Sequence, residues 1–317
     1  MGDLPPLLAI VGPTATGKTA VAVEVAKQLQ GEIVSADSML IYRYMDIGTA
    51  KPTSEERQGI PHYMIDLIDP DEPYSVALYQ KEAERHILEI SGRGKLPLLV
   101  GGTGLYIRAV IDRYSFVRAG FDPGLRRQLQ EEAEAFGKEA LYRRLCAVDQ
   151  EAAQKIHPHN LKRVIRALEV YYLTGQPVSR RQQKKEGPKY NLAMFGLTME
   201  RALLYRRIEE RVDKMLAAGL VEEVRQLLQR GYGLELTSMQ GLGYKEMAQY
   251  LMGRITYAEA VYLLKRNTRR FAKRQLTWFG RDRRIKWIDV ACFQDPKGVA
   301  GEIVHLAAGV FKDASKT

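Results

Sequence analysis

Residues 9–29, AIVGPTATGKTAVAVEVAKQL, constrain the fold more than any other part of the chain. An apolar run at residues 7–11 leads into a loop where Gly12, Gly17, Lys18 and Thr19 stand at the spacing G-x-x-x-x-G-K-[ST]. A helix-compatible segment follows, from about Lys18 to Leu29. Buried strand, glycine loop and helix in that order turn backbone amides toward an anion, and the helix dipole assists. Gly12, Pro13, Thr14, Ala15, Thr16, Gly17, Lys18 and Thr19 are therefore the expected cradle for a chain of phosphates. Lys18 is placed to reach the terminal phosphates, and the Thr19 hydroxyl is the expected Mg²⁺ ligand.

A phosphate cradle does not by itself imply nucleotide hydrolysis, which needs an acidic residue ending a later strand. Here the next strongly apolar run, PLLVGGTGLY at residues 97–106, ends in glycines and Thr103. Asp37, at the end of EIVSAD, is the carboxylate best placed near the loop, because the strand ends of a parallel sheet face the ligand crevice. Asp66 and Asp69 are second choices, and the competing role for Asp37 is a turn or helix cap. Short apolar strands (EIVSADS, HYMID at residues 62–66, LPLLV at 96–100) alternate with helices, one of them capped by Ser75. This pattern predicts an α/β fold, a P-loop NTPase-like core whose parallel sheet is flanked by helices.

After about Asp112 the chain reads as helices with turn breaks. Residues 1–112 and 198–290 are expected to form a discontinuous core, 113–197 a mainly helical insertion domain, and 291–317 a helical tail. NLAMFGLTM, from residue 191, reads as a strand returning to the main sheet. Thr256 with Glu259 forms a capping box for a long helix.

The net charge is +10, and ten positive residues between Lys265 and Lys286 oppose only Asp282, a local excess of +9. Lys265, Arg266, Arg269, Arg270, Lys273 and Arg274 recur as a stripe, and the basic segment 180–189 adds five more positive residues against Glu186. Such clustering fits a phosphate-backbone footprint. Hydrophobic content of 45% and charged content of 27% are ordinary for a soluble protein. No apolar run approaches the roughly 20 residues that span a bilayer. The N-terminus lacks the basic start of a signal peptide, and Pro6 stands where a myristoylation motif needs Ser or Thr. Cys146 and Cys292 fit no metal spacing or disulfide framework. These features lead to the expectation of a cytoplasmic protein, by default a monomer.

GPTATGKT, SADSMLIYRYMDIGTAKPT, PLLVGGTGLY, RVIRALEVY, GLGYKEM and AKRQLTWF together resemble the bacterial tRNA dimethylallyltransferases, the tRNA isopentenyltransferase family. The likeness runs from about residue 8 to 290 and lacks the C-terminal zinc finger of eukaryotic members. It implies transfer of a dimethylallyl group from dimethylallyl diphosphate, with Mg²⁺, to the exocyclic amine of the adenine 3′ to the anticodon, in tRNAs reading U-starting codons. The diphosphate leaves intact. By the same resemblance Asp37 is the general base, Thr19 and Arg211 act on the diphosphate, and Asp37, Ser38, Met39, Leu40 and Thr103 lie near the target nucleotide. His159, Asn160, Lys162, Arg163 and Arg166, with Gln240, Gly243, Tyr244 and Lys245, fall in segments that contact the anticodon stem–loop. Thr16 stands where Ser is common, and Tyr205 where a His often sits, so no acid–base role is expected there.

Three rivals share parts of this pattern. An adenylate isopentenyltransferase would have little use for the basic stripe or the insertion. A small-molecule kinase requires an adenine-nucleotide pocket that the later motifs do not suggest. A non-catalytic RNA-binding protein would have little use for Asp37 beside an intact Lys18 and Thr19.

Overall fold

The computed structural model describes residues 4–112, 120, 122–181 and 187–313. Strands β1 (Pro6–Val11), β2 (Gly31–Ser35), β3 (His62–Tyr63), β4 (Leu96–Gly101), β5 (Asn191–Thr198) and β6 (Lys286–Asp289) form a wholly parallel sheet, ordered β3-β2-β4-β1-β5-β6. A parallel sheet is covered on both faces, which is why its central strands are almost unbroken apolar runs. In β1 the alternation is direct. Leu8 and Ile10 enter one core, while Leu7, Ala9 and Val11 enter the other.

Between these strands run α1 (Lys18–Leu29), α2 (Ser54–Arg57), α3 (Val76–Gly92) and α4 (Gly104–Ile111). Next come α5 (Pro123–Phe136), α6 (Lys138–Val148), α7 (Gln150–Lys155), α8 (Leu161–Thr174) and α9 (Val178–Arg181). After β5 follow α10 (Arg201–Ala217), α11 (Leu220–Gln229), α12 (Tyr244–Leu251) and α13 (Tyr257–Phe279), and after β6 comes α14 (Pro296–Asp313). Ser75 caps α3 through the Leu78 amide at 3.2 Å, and Thr256 and Glu259 close the capping box of α13.

The chain divides into two compact units, one running to Ile111 and again from Pro188, the other spanning Asp112–Gly187. Because β5 pairs with β1 along its length, the helical unit stops short of residue 197, and NLAMFGLTM belongs to the sheet. The tail is not separate either: Val299, Ala300, Ile303 and Ala307 of α14 share a core with Val21, Ala22, Val25 and Ala26 of α1. The HYMID strand is cut to two residues because Met64 and Asp66 take φ of 65° and 55°, outside the strand region.

The helical unit packs Leu129, Leu141, Leu145, Val164 and Leu168 into its own core. Within it Glu169 is fully buried and is held by Arg126 at 2.8 Å, by Arg166 at 2.6 Å and by the Asp122 amide at 3.1 Å. Of the basic segment 180–189, residues 182–186 lie outside the described residues.

Candidate functional site

The phosphate loop leaves the sheet at Gly12, whose φ is +142°. A Cβ there would sit 2.5 Å from the Leu197 carbonyl oxygen of β5, so only glycine fits. The Thr16 hydroxyl and the Lys18 ammonium both donate to the Pro13 carbonyl, at 2.9 and 2.6 Å. That shared acceptor closes the loop and holds Lys18 at its mouth. Thr16 is buried and committed to this internal bond. Thr19, in the first turn of α1, is exposed.

Lys18 and Arg211 both lie within electrostatic reach of Asp37, and Arg211 of Glu56 as well. Burial, then the neighbouring Arg211, lower the Lys18 pKa to about 7, while Asp37 acts in the opposite direction. Burial likewise lowers the Arg211 guanidinium, opposed first by Asp37 and then by Glu56. Lys18 on α1, Arg211 on α10 and Asp37 after β2 are thus close enough to tune one another. Both cations are costly in the protein alone, and a dense anion such as diphosphate would relieve them.

Asp37 follows β2, which pairs with β4. Asp37 Oδ1 accepts the Met39 amide at 2.9 Å, and the Ser38 amide donates to Thr103 Oγ1 at 3.0 Å. The Thr103 amide returns to the Ala36 carbonyl at 3.0 Å. The ends of β2 and β4 are therefore tied into one turn, bringing Asp37, Ser38, Met39 and Thr103 together. Leu40 follows in the same turn, its carbonyl accepting the Asp66 amide at 3.0 Å. Asp37 thus has the turn-forming role, through Oδ1.

The second-choice carboxylates are absorbed elsewhere. Asp66 pairs with Lys51, which is buried and also binds Asp46 at 2.5 Å and the Tyr42 carbonyl at 2.9 Å. Asp69 pairs with Arg43 at 3.1 Å. Both hold the segment after Asp37 in its fold.

The residues expected to contact RNA sort by surroundings. In the helical unit His159, Asn160, Lys162 and Arg163 are exposed around the start of α8, and Asn160 also caps that helix through the Arg163 amide at 3.4 Å. Arg166 is half-buried and bound to Glu169, so it anchors the unit's interior with part of its charge already neutralised. In the other unit Gln240 and Lys245 are exposed, with the Gln240 side-chain amide bonded to the Leu234 carbonyl. Tyr244 and Gly243 are a correction. Tyr244 is fully buried and its hydroxyl donates to Glu223 at 2.7 Å, while that carboxylate also accepts the amides of Asp46, Ile47 and Gly48. Gly243 is buried beside it. Tyr244 thus braces the loop at residues 46–48 through Glu223, and its buried side chain presents no surface to RNA, while the Gly243 amide donates to Glu246 at 3.0 Å.

The basic stripe on α13 is likewise narrower than its sequence suggests. Lys265 pairs with Asp213 at 2.6 Å and Arg269 with Glu209, both acids on α10. Arg270, Lys273 and Arg274 remain exposed, as do Arg281, Arg283 and Lys286 beyond the helix.

One residue was not singled out from the sequence. Gln275, inside the AKRQLTWF segment, reaches from α13 to the phosphate loop, its Oε1 accepting the Thr14 amide at 2.9 Å. The only local clue was an amide placed among basic and apolar neighbours.

Among the described residues no group of three or more His, Cys, Asp or Glu could hold a metal, and no helix is long and apolar enough to cross a membrane. The Thr19 hydroxyl would suit Mg²⁺ only if diphosphate oxygens and water supply the other ligands, which is how that ion is commonly bound.

The IPP transferase family model matches residues 40–283, and an isopentenyl transferase model matches residues 5–68. A tRNA dimethylallyltransferase of Pelotomaculum thermopropionicum is 59% identical over 306 residues, covering 96% of this chain and 97% of the relative. The crystal structure of a full-length tRNA isopentenylpyrophosphate transferase from Bacillus halodurans matches with a TM-score of 0.74 at 48% identity, covering 98% of each chain. A eukaryotic dimethylallyltransferase acting on tRNA matches with a TM-score of 0.82 at 27% identity, over 97% of this chain and 80% of the other. Its phosphate loop, the carboxylate beside that loop and its likeness to these relatives along almost its whole length converge, and the chain belongs to the IPP transferase family.

Proposed function

We propose that this protein transfers a dimethylallyl group from dimethylallyl diphosphate to the exocyclic amine of the adenosine 3′ to the anticodon, in tRNAs that read U-starting codons. The observation that carries the reading is that Lys18 and Arg211 share the electrostatic influence of Asp37 beside the phosphate loop. The reaction needs two cations for a departing diphosphate and a single carboxylate for a proton.

The allylic C1–O bond breaks with its electron pair passing to the diphosphate, whose developing charge meets Lys18, Arg211 and the loop amides. The adenine nitrogen lone pair forms the new N–C bond. Its proton passes to the Asp37 carboxylate, which the Met39 amide holds in orientation. The Thr19 hydroxyl would hold Mg²⁺, which would supply further charge neutralisation of the diphosphate. Exposed Lys162, Arg163 and Lys245, with the exposed cations of α13, supply phosphate contacts for the anticodon arm. The protein is read as cytoplasmic, because its acceptor is tRNA, and as a monomer by default.

The test incubates purified protein with dimethylallyl diphosphate and an unmodified anticodon stem–loop, then measures nucleoside mass. A mass gain of one dimethylallyl group on adenosine is expected. Equal transfer to AMP would favour a free-nucleotide enzyme, and phosphoryl transfer from ATP with the isoprenoid ignored would refute the reading.

A further inference from the structure

We propose that Gln275 is a positioning residue that sets the spacing between the loop holding the donor's diphosphate and the turn facing the acceptor base. Its side chain is 6% exposed and both ends of its amide are engaged. Oε1 accepts the Thr14 amide of the phosphate loop at 2.9 Å, and Nε2 donates to the Gly102 carbonyl after β4 at 3.0 Å. These bonds join positions 261 and 173 residues apart in the chain. Gly102 directly precedes Thr103, whose hydroxyl accepts the Ser38 amide next to Asp37. One amide thus spans the two strand ends between which the prenyl group must pass.

Two further observations support this role. A Cβ on Gly102 would lie 2.2 Å from Gln275 Nε2 and 3.4 Å from the Gly12 carbonyl oxygen, so the glycine makes room for the bridging amide. One helical turn along α13, Trp278 covers Gly104, with Nε1 only 2.1 Å from where a Cβ would stand. The helix therefore meets the β4–α4 turn on both sides of Thr103. The Thr14 amide is already satisfied, so the diphosphate is left to the amides further along the loop. A merely structural buried amide would cost stability when removed. A spacer costs rate, because a displacement of about 1 Å between reacting groups is worth about 10²-fold.

The inference rests on the prenyl-transfer reading. Its test measures kcat and KM with dimethylallyl diphosphate and the anticodon stem–loop for wild type, Gln275→Met and Gln275→Glu, together with the Kd for inorganic diphosphate. Gln275→Met is expected to lower kcat at saturation by about 10–100-fold while the diphosphate Kd changes less than about threefold. Gln275→Glu keeps an acceptor for the Thr14 amide but sets an oxygen against the Gly102 carbonyl, and it too is expected to lose kcat. If Gln275→Met does not fold, Gly102→Ala crowds the same amide and is expected to show the same kcat loss. A wild-type kcat in these variants, with only KM or melting temperature altered, overturns the inference. An inactive wild type would instead count against the prenyl-transfer reading.

Discussion

Lys18 is expected to take up a proton when the phosphate loop fills. Burial and the neighbouring Arg211 hold its pKa at about 7 in the protein alone. At pH 8 a group of that pKa is therefore about 90% neutral. A bound diphosphate replaces the unfavourable surroundings with direct ion pairing and restores the charged form, so binding draws in ~0.9 proton at pH 8, ~0.5 at pH 7 and ~0.1 at pH 6. Isothermal titration with inorganic diphosphate, in buffers of differing ionisation enthalpy, reads this number as a slope. The diphosphate's own protonation contributes equally to a Lys18→Arg variant, whose side chain is charged throughout. The difference between the two proteins isolates Lys18. The sign is also visible in stability. Between about pH 7 and pH 10.5 the unfolded chain binds the Lys18 proton and the folded chain does not, so this group makes unliganded stability rise with pH across that window. Below about pH 7 both states carry the proton and its slope vanishes. Lys18→Met should flatten the window. Equal proton uptake by wild type and Lys18→Arg at pH 8 would refute the reasoning.

Asp37→Asn keeps an oxygen for the Met39 amide but removes the base, so turnover is expected to fall ~10²–10⁴-fold with the stem–loop Kd nearly unchanged; a wild-type rate would leave Asp37 with the turn alone. Replacing Lys162 and Arg163 together by Ala is expected to weaken stem–loop binding and to reduce its log–log salt slope by ~0.7–0.9 for each phosphate no longer neutralised, measured by fluorescence anisotropy across salt; an unchanged slope would move the footprint elsewhere. Tyr244→Phe removes the bond to the Glu223 carboxylate and is expected to cost ~1.5–3 kcal/mol in urea unfolding while stem–loop affinity stays within about twofold. A tenfold affinity loss at unchanged stability would return Tyr244 to the RNA surface.

Local regularities were legible before any coordinates. The glycine loop between strand and helix, the Ser75 and Thr256 caps and the apolar strands are set by backbone sterics and by side-chain period, which act over a few residues. The place of Asp37 just past the end of β2 was legible too, because the strand is a short apolar run with a clear end. The surroundings of Asp66, Asp69 and Tyr244 were not. As residue types they fit catalysis or RNA contact, and only the partners Lys51, Arg43 and Glu223 tie them into the framework. Gln275 is the extreme case, since its meaning lies wholly in its bonds to Thr14 and Gly102. Sequence by itself determined which segments become strand, loop and helix. Tertiary packing alone decided which polar groups are spent on one another, since satisfying a buried charge or amide depends on neighbours that the chain brings from hundreds of residues away.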